Sequence, residues 1–105
     1  MYTRNVSLKL RANCAPEFTR TLEQEVIPML RKQKGFRDEI TLVAPERHEI
    51  VAISFWDRKE DAEFYNREKY PDILKALSKV VEGTPRVELF EVANSTSHQI
   101  AAKAA

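Results

Sequence analysis

The stretch EIVAISFWDRKEDAEFYNREKY, residues 49–70, joins an apolar segment to a charged one and decides the fold. Its first part is apolar at both parities, with Ile50 and Trp56 on one face and Val51 and Phe55 on the other. A strand with two apolar faces has to be covered on both of them. In a chain of 105 residues, one face can pack on the chain's own helices, and the other face calls for a partner molecule.

The length and composition describe one ordinary globular domain. A chain of 105 residues buries roughly 60–65% of its unfolded surface on folding, which is enough for a core without disulfides. The 17 basic and 16 acidic residues leave a net charge of +1, and no basic tract points to a nucleic-acid partner. No apolar run approaches the length of a membrane span, and the first ten residues lack the apolar core of a secretory signal. We therefore expect a cytoplasmic protein with no membrane or nucleic-acid partner.

Residues that bind metals in clusters are scarce in this chain. The single cysteine, Cys14, excludes an intrachain disulfide and a cysteine-cluster metal site. The two histidines are His48, in a predicted turn, and His98, in the C-terminal segment, and neither has other metal ligands beside it. We predict no metal site.

The first third of the chain has the patterns of a strand followed by a helix. Residues 2–11 alternate, with Val6, Leu8 and Leu10 on one face, as in a half-buried strand. Apolar residues then recur at helical spacing over residues 17–32, which predicts one amphipathic helix of about 18 residues. Pro28 is expected to interrupt this helix.

The rest of the chain predicts a hairpin, a second helix and a last strand. Gly35 ends the first helix, and a strand over residues 36–43, with Ile40 and Leu42 on the face of Phe36, leads through a turn into the apolar segment. Asp57, with Glu60 three residues later, predicts the cap of a second helix. The periodicity predicts that this helix resumes at a turn beginning at Pro71, continues through Val80 and Val81 and ends at Gly83; the last strand covers residues 87–92.

These elements form the order strand, helix, strand, strand, helix, strand, which predicts a ferredoxin-like α+β fold. The sheet has four antiparallel strands, with the first and third in the middle and both helices on one face. The other face carries Val51, Ile53 and Phe55, or their parity partners. An apolar sheet face of this kind indicates self-association, so we predict a homodimer joined sheet to sheet. The domain covers residues 1–93, and residues 94–105 form a flexible tail.

Four short segments of the chain carry a resemblance to a known family: Gly35-Phe36, Ser54-Phe55-Trp56, Asp61-Ala62 and the closing strand, VELFEV, residues 87–92. They resemble the antibiotic biosynthesis monooxygenase (ABM) domain of the dimeric α/β-barrel superfamily, and the similarity runs over about residues 6–92. The resemblance implies a dimer whose two sheets build a barrel, with a ligand cleft between sheet and helices in each protomer.

The resemblance also implies an activity, because characterised members oxidise phenolic polyketides with O₂ and use neither metal nor flavin. Other members degrade haem, and this chain departs from them at two positions. Val6 stands where the haem-degrading branch has an asparagine, and residues 75–78, KALS, lack its haem-ligating histidine. We therefore expect no haem and no other cofactor.

Five residues are candidates for a site in the implied cleft. As catalytic candidates we take Trp56, as an aromatic wall or N–H donor, and the phenols Tyr65 and Tyr70, which can hydrogen-bond a substrate oxygen or move a proton. Asn66 and Arg86 are candidates for substrate binding, the latter as a cation near an enolate or phenolate. Packing alone is the simpler explanation of Trp56, Tyr65 and Tyr70, and solvent exposure is the simpler one for Asn66 and Arg86.

Two functions from different classes remain open on the sequence. The first is a cofactor-independent monooxygenase that oxidises a small hydroxylated aromatic or quinol-type substrate with O₂. The second is a dimeric α/β-barrel protein without turnover that binds a small molecule or is associated with stress. The fold alone does not choose between them.

Overall fold

Residues 1–97 are described by the computed structural model, and they contain four strands and four short α-helices. The strands are β1 (Tyr2–Leu10), β2 (Phe36–Ala44), β3 (Glu49–Trp56) and β4 (Val81–Glu91). The helices are α1 (Ala15–Thr21), α2 (Ile27–Arg31), α3 (Lys59–Glu68) and α4 (Tyr70–Leu77). A π-helical turn, Leu22–Val26, joins α1 to α2, and a 3-10 turn, Pro45–Arg47, joins β2 to β3.

The four strands form one antiparallel sheet in the order β2-β3-β1-β4. The strands β1 and β3 lie in the middle, as the ferredoxin-like prediction requires. Within residues 1–97, no helix has the length and apolar character needed to span a bilayer. The predicted α+β fold is therefore confirmed.

The core lies between the helices and one face of the sheet. On β1 and β3 the even-numbered residues point to the helices, because Val6, Leu8, Ile50 and Trp56 are all buried. The alternation read from the sequence is thus correct for both central strands. The helices, the turns beside them and the ends of β1 and β4 supply the other buried apolar residues: Leu10, Phe18, Leu22, Val26, Leu30, Ala62, Tyr65, Tyr70, Ile73, Leu77, Val80 and Val81.

A β-bulge at the start of β2 changes the face on which its side chains lie. Phe36 pairs with Trp56, but Asp38 pairs with the next residue, Phe55, so one residue of β2 is extra. Phe36 therefore packs on Trp56 among the helices, whereas Ile40 lies on the opposite face of the sheet. The prediction that Phe36 shares a face with Ile40 and Leu42 is wrong, because a bulge shifts the period-two pattern by one residue.

The first helical region is interrupted as predicted, one turn before the proline. The Ile27 N–H donates to the Leu22 carbonyl, five residues back, which defines the π-turn. Pro28 lies in the first turn of α2, directly after the π-turn, and its missing N–H removes one hydrogen bond to the preceding turn. The predicted helix of about 18 residues is therefore three shorter segments that share one apolar face.

The second helical region differs from the prediction at both ends. The predicted cap at Asp57 is wrong: α3 begins at Lys59 after Arg58, no side chain caps it, and the Asp57 carboxylate accepts a hydrogen bond from Arg37 instead. The predicted continuation to Gly83 is wrong as well, since α4 ends at Leu77 and β4 already begins at Val81. Val80 lies in the turn between α4 and β4, Val81 begins β4, and both are buried without being helical.

The connection from α2 to β2 depends on a glycine. Gly35 has a φ of +79°, and its carbonyl accepts a hydrogen bond from the Asp57 N–H at 2.8 Å. This bond ties the start of β2 to the residue that follows β3. Residues 98–105, which hold His98 and most of the predicted tail, lie outside the described residues, and the division of the chain at residue 93 stays a prediction.

Candidate functional site

A small cavity lies between the sheet and the helices. Its volume is about 50 Å³. Apolar side chains line most of it: Val6, Leu8, Phe18, Leu22, Val26, Leu30, Ala52, Ile73 and Leu77. The remaining lining residues, Arg4, Glu39, Ser54, Tyr65 and Tyr70, bring polar groups to the same cavity. Apolar walls with a few converging polar groups are the usual construction of a small-molecule site.

Arg4 is the cation of this site, and β1 holds it on the helix-facing side of the sheet. Its side chain is buried, with 3% of the residue exposed. Asn66 on α3 accepts two hydrogen bonds through Oδ1, at 3.1 Å from Arg4 Nε and 2.9 Å from Nη2. Burial lowers the pKa of Arg4, while the phenols of Tyr65 and Tyr70 act in the opposite direction. Arg4 thus stays a guanidinium ion in a poorly hydrated place.

The two predicted tyrosines both pack against this guanidinium. The Arg4 Cζ atom is 4.0 Å from the centre of the Tyr70 ring and 5.1 Å from that of Tyr65, which are cation–π distances. Burial raises the pKa of Tyr70, against an opposing effect of Arg4. The Tyr70 hydroxyl is buried and makes no well-formed hydrogen bond to any residue in 1–97. Both phenols are therefore neutral near pH 7 and placed to donate hydrogen bonds into the cavity.

The pKa of Tyr65 leads to a testable prediction. Burial raises it from 10.0 to about 12, with Tyr70 and Glu39 adding to the rise and Arg4 opposing it. The folded state keeps this proton longer than the unfolded chain does, so the associated stability is complete below pH 10 and is lost as the pH rises towards 12. We expect an ultraviolet titration to show a phenolate step near pH 12 that is absent in Tyr65→Phe. A Tyr65 step at pH 10 would contradict the buried placement.

Trp56 contacts residues that line the cavity without lining it itself. It is fully buried, with 0% exposed, and does not line the cavity. Its ring packs on that of Tyr65 at a centroid distance of 5.3 Å, and its Nε1 donates to Ser54 Oγ at 2.8 Å. Ser54 in turn donates to the Arg4 carbonyl at 3.4 Å. Trp56 thus positions Tyr65 and Ser54, and it presents no indole N–H to a ligand.

The two residues predicted to bind substrate lie in different places. Asn66 is on the exposed side of α3, but its amide oxygen reaches the Arg4 guanidinium and orients it. Arg86 pairs with Ser7 across β1 and β4, on the sheet face opposite the cavity, and its Nε is 3.3 Å from Glu88 Oε1. The structure therefore brings Tyr65, Tyr70, Trp56 and Asn66 together around Arg4 and leaves Arg86 apart.

Arg4 and Glu39 line the cavity, yet neither was among the predicted site residues. A signal for Arg4 was present, because it is a charged residue at the parity of Val6 and Leu8 in an alternating strand. Glu39 had no such signal, since only the bulge turns it towards the helices. Burial raises the pKa of Glu39, and a hydrogen bond from Thr41 opposes that shift.

No metal centre accompanies these groups in the part of the chain that the structure describes. Residues 1–97 contain no cluster of three or more histidine, cysteine, aspartate or glutamate side chains that could hold an ion. His48 is exposed in the turn before β3, where its φ is +54°.

The comparisons with known proteins rest on structure alone. No protein-family model and no curated protein sequence matches the chain. Among solved structures, a candidate antibiotic biosynthesis monooxygenase of Bordetella bronchiseptica superimposes with a TM-score of 0.74 at 12% identity, over 87% of this chain and 95% of that one.

Two Streptomyces oxygenases are similar in the same way. The ActVA-Orf6 monooxygenase of Streptomyces coelicolor, solved with the ligand nanaomycin D, has a TM-score of 0.74 at 13% identity and covers 90% of this chain and 88% of its own. SnoaB of Streptomyces nogalater, a cofactor-independent oxygenase, has a TM-score of 0.72 at 15% identity, and the match covers 90% of this chain and 95% of SnoaB. The resemblance predicted from the sequence is confirmed in three dimensions: this chain has the fold of the antibiotic biosynthesis monooxygenases.

Proposed function

We propose that the protein is a cofactor-independent monooxygenase that oxidises a small hydroxylated aromatic or quinol-type substrate with O₂. The observation that carries the proposal is the cavity between sheet and helices, apolar along its walls and lined by Arg4, Tyr65 and Tyr70 at its polar part. The similar folds of two oxygenases support it, one of them solved with the ligand nanaomycin D.

In this proposal the substrate supplies the electrons, and the protein supplies the environment. An electron-rich phenol or quinol reduces O₂ once it is deprotonated, so the site has to bind the ring, exclude water and stabilise the anion. The apolar walls bind the ring, and the buried guanidinium of Arg4 stabilises negative charge on its oxygen. The neutral phenols of Tyr65 and Tyr70 donate hydrogen bonds that orient the substrate.

Substrate entry requires the cavity to widen. Its volume of about 50 Å³ is well below the roughly 300–1,000 Å³ that is usual for small-molecule pockets. The helical wall is made of short segments, with breaks at the π-turn and at Lys69 between α3 and α4. At both places the regular α-helical hydrogen-bond pattern changes, and helices bend at such positions. We infer that the cavity opens there.

Oxygen uptake by the purified protein, without added metal or cofactor, tests the monooxygenase activity. Over a panel of anthrones, quinols and catechols, we expect uptake that saturates with substrate and falls about tenfold or more in Tyr70→Phe. The same substitution should change the free energy of unfolding by less than about 1 kcal/mol, since the hydroxyl has no well-formed hydrogen bond within residues 1–97.

A matched control separates the site from a general effect of losing a hydroxyl. Tyr2→Phe removes the same group from a tyrosine that does not line the cavity, and it should leave uptake unchanged. A flat trace across the whole panel would contradict the monooxygenase proposal and favour a protein that binds a small molecule without turnover.

We also propose that the protein is a homodimer through the sheet face that the helices leave uncovered, and its cytoplasmic location stays a prediction. The strand registers place six apolar side chains on this open face, and several are about half exposed in the single chain. They are Ile40, Leu42, Val51, Ile53, Phe55 and Phe90. Exposed apolar side chains gathered on one sheet face are typical of an interface.

Two neighbouring residues of β2 test the dimer. Leu42 is 50% exposed on the open face, and Val43 is 55% exposed on the opposite side of the same strand. We expect Leu42→Lys to weaken the dimer at least tenfold by placing a charge in the interface, whereas Val43→Lys leaves it intact. Light scattering over a concentration series measures both. A wild-type protein that is monomeric at micromolar concentration would contradict the dimer.

A further inference from the structure

Three strands bring a cation and a carboxylate to either side of one serine. The register of β1 with β3 pairs Arg4 with Ser54, and the register of β2 with β3 pairs Glu39 with the same Ser54. All three residues line the cavity. Because adjacent strands are about 4.8 Å apart, the Cα atoms of Arg4 and Glu39 are separated by roughly 10 Å, with the small Ser54 side chain between them.

The charge of Arg4 has no counter-ion in the described part of the chain. The salt bridges among residues 1–97 do not include Arg4, and its hydrogen-bond acceptor is the neutral amide of Asn66. The faces of Tyr65 and Tyr70 complete its surroundings. A buried cation without an anion is unfavourable, so an anionic oxygen that enters the cavity supplies a missing partner.

Glu39 has a free acceptor on the other side of the gap. Thr41 Oγ1 donates to Glu39 Oε2 at 2.7 Å, which orients the carboxylate, and Oε1 accepts no hydrogen bond from residues 1–97. Burial raises its pKa, which makes the carboxylate a better proton acceptor. The other titratable groups that line the cavity are Arg4, Tyr65 and Tyr70, and the raised pKa values of the two phenols keep them protonated near pH 7, so neither can accept a proton.

We propose that Glu39 and Arg4 act on the same substrate oxygen, with Glu39 removing the proton of an aromatic hydroxyl and Arg4 binding the oxyanion that forms. The substrate O–H bond breaks, a new O–H bond forms at Glu39 Oε1, and the electron pair stays on the substrate oxygen. This step needs no oxidant, and O₂ enters only afterwards. Ser54 does not compete for the proton, because its hydroxyl already accepts from Trp56 and donates to the Arg4 carbonyl.

The proposal names the substrate class of the site and rests on the proposed function. The substrate is a neutral phenol or quinol whose acidic hydroxyl fits between Arg4 and Glu39 while its ring lies on the apolar wall. A ligand that arrives as a permanent anion, such as an aromatic carboxylate, has no proton to give to Glu39. It is therefore expected to bind Arg4 without proton transfer.

Binding of para-nitrophenol under nitrogen tests both roles without turnover, because its phenol and phenolate absorb at different wavelengths. We expect the wild-type protein to raise the ionisation constant of the bound probe about tenfold or more, which is one unit or more in its pKa. Arg4→Met keeps a stem of similar length, removes the charge and should abolish this effect. Arg4→Lys should restore part of it, and Arg47→Met, an exposed arginine outside the cavity, should behave as wild type.

The number of protons released on binding tests the role of Glu39 as the proton acceptor. Calorimetric titration in two buffers of different ionisation enthalpy gives the number of protons released on binding. Where the bound probe is ionised, the wild-type protein should release close to none, because Glu39 keeps the proton, and Glu39→Gln should release about one per phenolate formed. Thermal unfolding by circular dichroism establishes that each variant is folded.

Three results would overturn the inference. They are an unchanged pKa of the bound probe, equal proton release from wild type and Glu39→Gln, and no binding of para-nitrophenol at millimolar concentration. Failure of the oxygenase activity is a separate result, since it would appear as absent oxygen uptake while these anaerobic measurements still gave the expected values.

Discussion

Replacement of Trp56 by alanine is expected to lower the free energy of unfolding by about 3–5 kcal/mol, the range for removing a large buried aromatic side chain. Trp56 is wholly buried and touches two other rings, Phe36 at a centroid distance of 5.6 Å and Tyr65 at 5.3 Å. Truncation leaves a cavity at this contact and removes the donor to Ser54 Oγ.

Urea unfolding followed by far-ultraviolet circular dichroism measures this loss, since the variant has no tryptophan left for fluorescence. Phe64→Ala is the matched control, because it truncates an aromatic ring that is 47% exposed on α3, and it should change stability by less than about 1 kcal/mol. A loss below about 1 kcal/mol for Trp56→Ala would show that the ring is not a packing centre.

Replacement of Gly35 by alanine is expected to destabilise the fold by about 3 kcal/mol, for two reasons that add. At a φ of +79° an alanine is strained, and its Cβ would lie 2.1 Å from Asp61 Oδ2 and 2.9 Å from Asp61 Cβ. The contact with Cβ is not relieved by rotating the aspartate, so α3 has to move.

The chain contains its own control for the strain alone. Gly83 has a similar φ of +72°, and a Cβ there would meet no atom within 4 Å. Gly83→Ala should therefore cost only the left-handed backbone strain, about 1–2 kcal/mol. Chemical denaturation of the two variants measures the difference. Equal losses would mean that α3 yields without cost, and the rigid approach of α3 to Gly35 would be wrong.

The alternation of the central strands allowed the fold to be predicted from the sequence. Val6, Leu8 and Leu10 repeat at period two in the first strand, and a strand that is apolar on both faces, as in residues 50–56, predicts covering on both. The helix ends were less predictable, because caps and breaks depend on tertiary contacts. Asp57 is a residue type that commonly caps helices, but its carboxylate accepts a hydrogen bond from Arg37 of the neighbouring strand.

The candidate site was predictable only in part. Tyr65 and Tyr70 follow from their helical positions and from the resemblance, and the structure places both beside Arg4. Glu39 was not predictable, because period-two counting from Phe36 assigns it to the wrong face. Arg86 was predicted as a cleft cation from its residue type, while the register of β4 places it on the far side of the sheet.

The bulge in β2 also bears on aggregation. β2 is an edge strand, and Ile40, Leu42 and Val43 in its second half are about half exposed, a composition that favours pairing with the edge of another chain. The extra residue at Arg37 interrupts the regular spacing of hydrogen-bonding groups, and the charged pair Arg37 and Asp57 lies beside it. An incoming strand would therefore find a regular edge from Asp38 to Ala44, and its pairing would stop at the bulge instead of extending to Phe36.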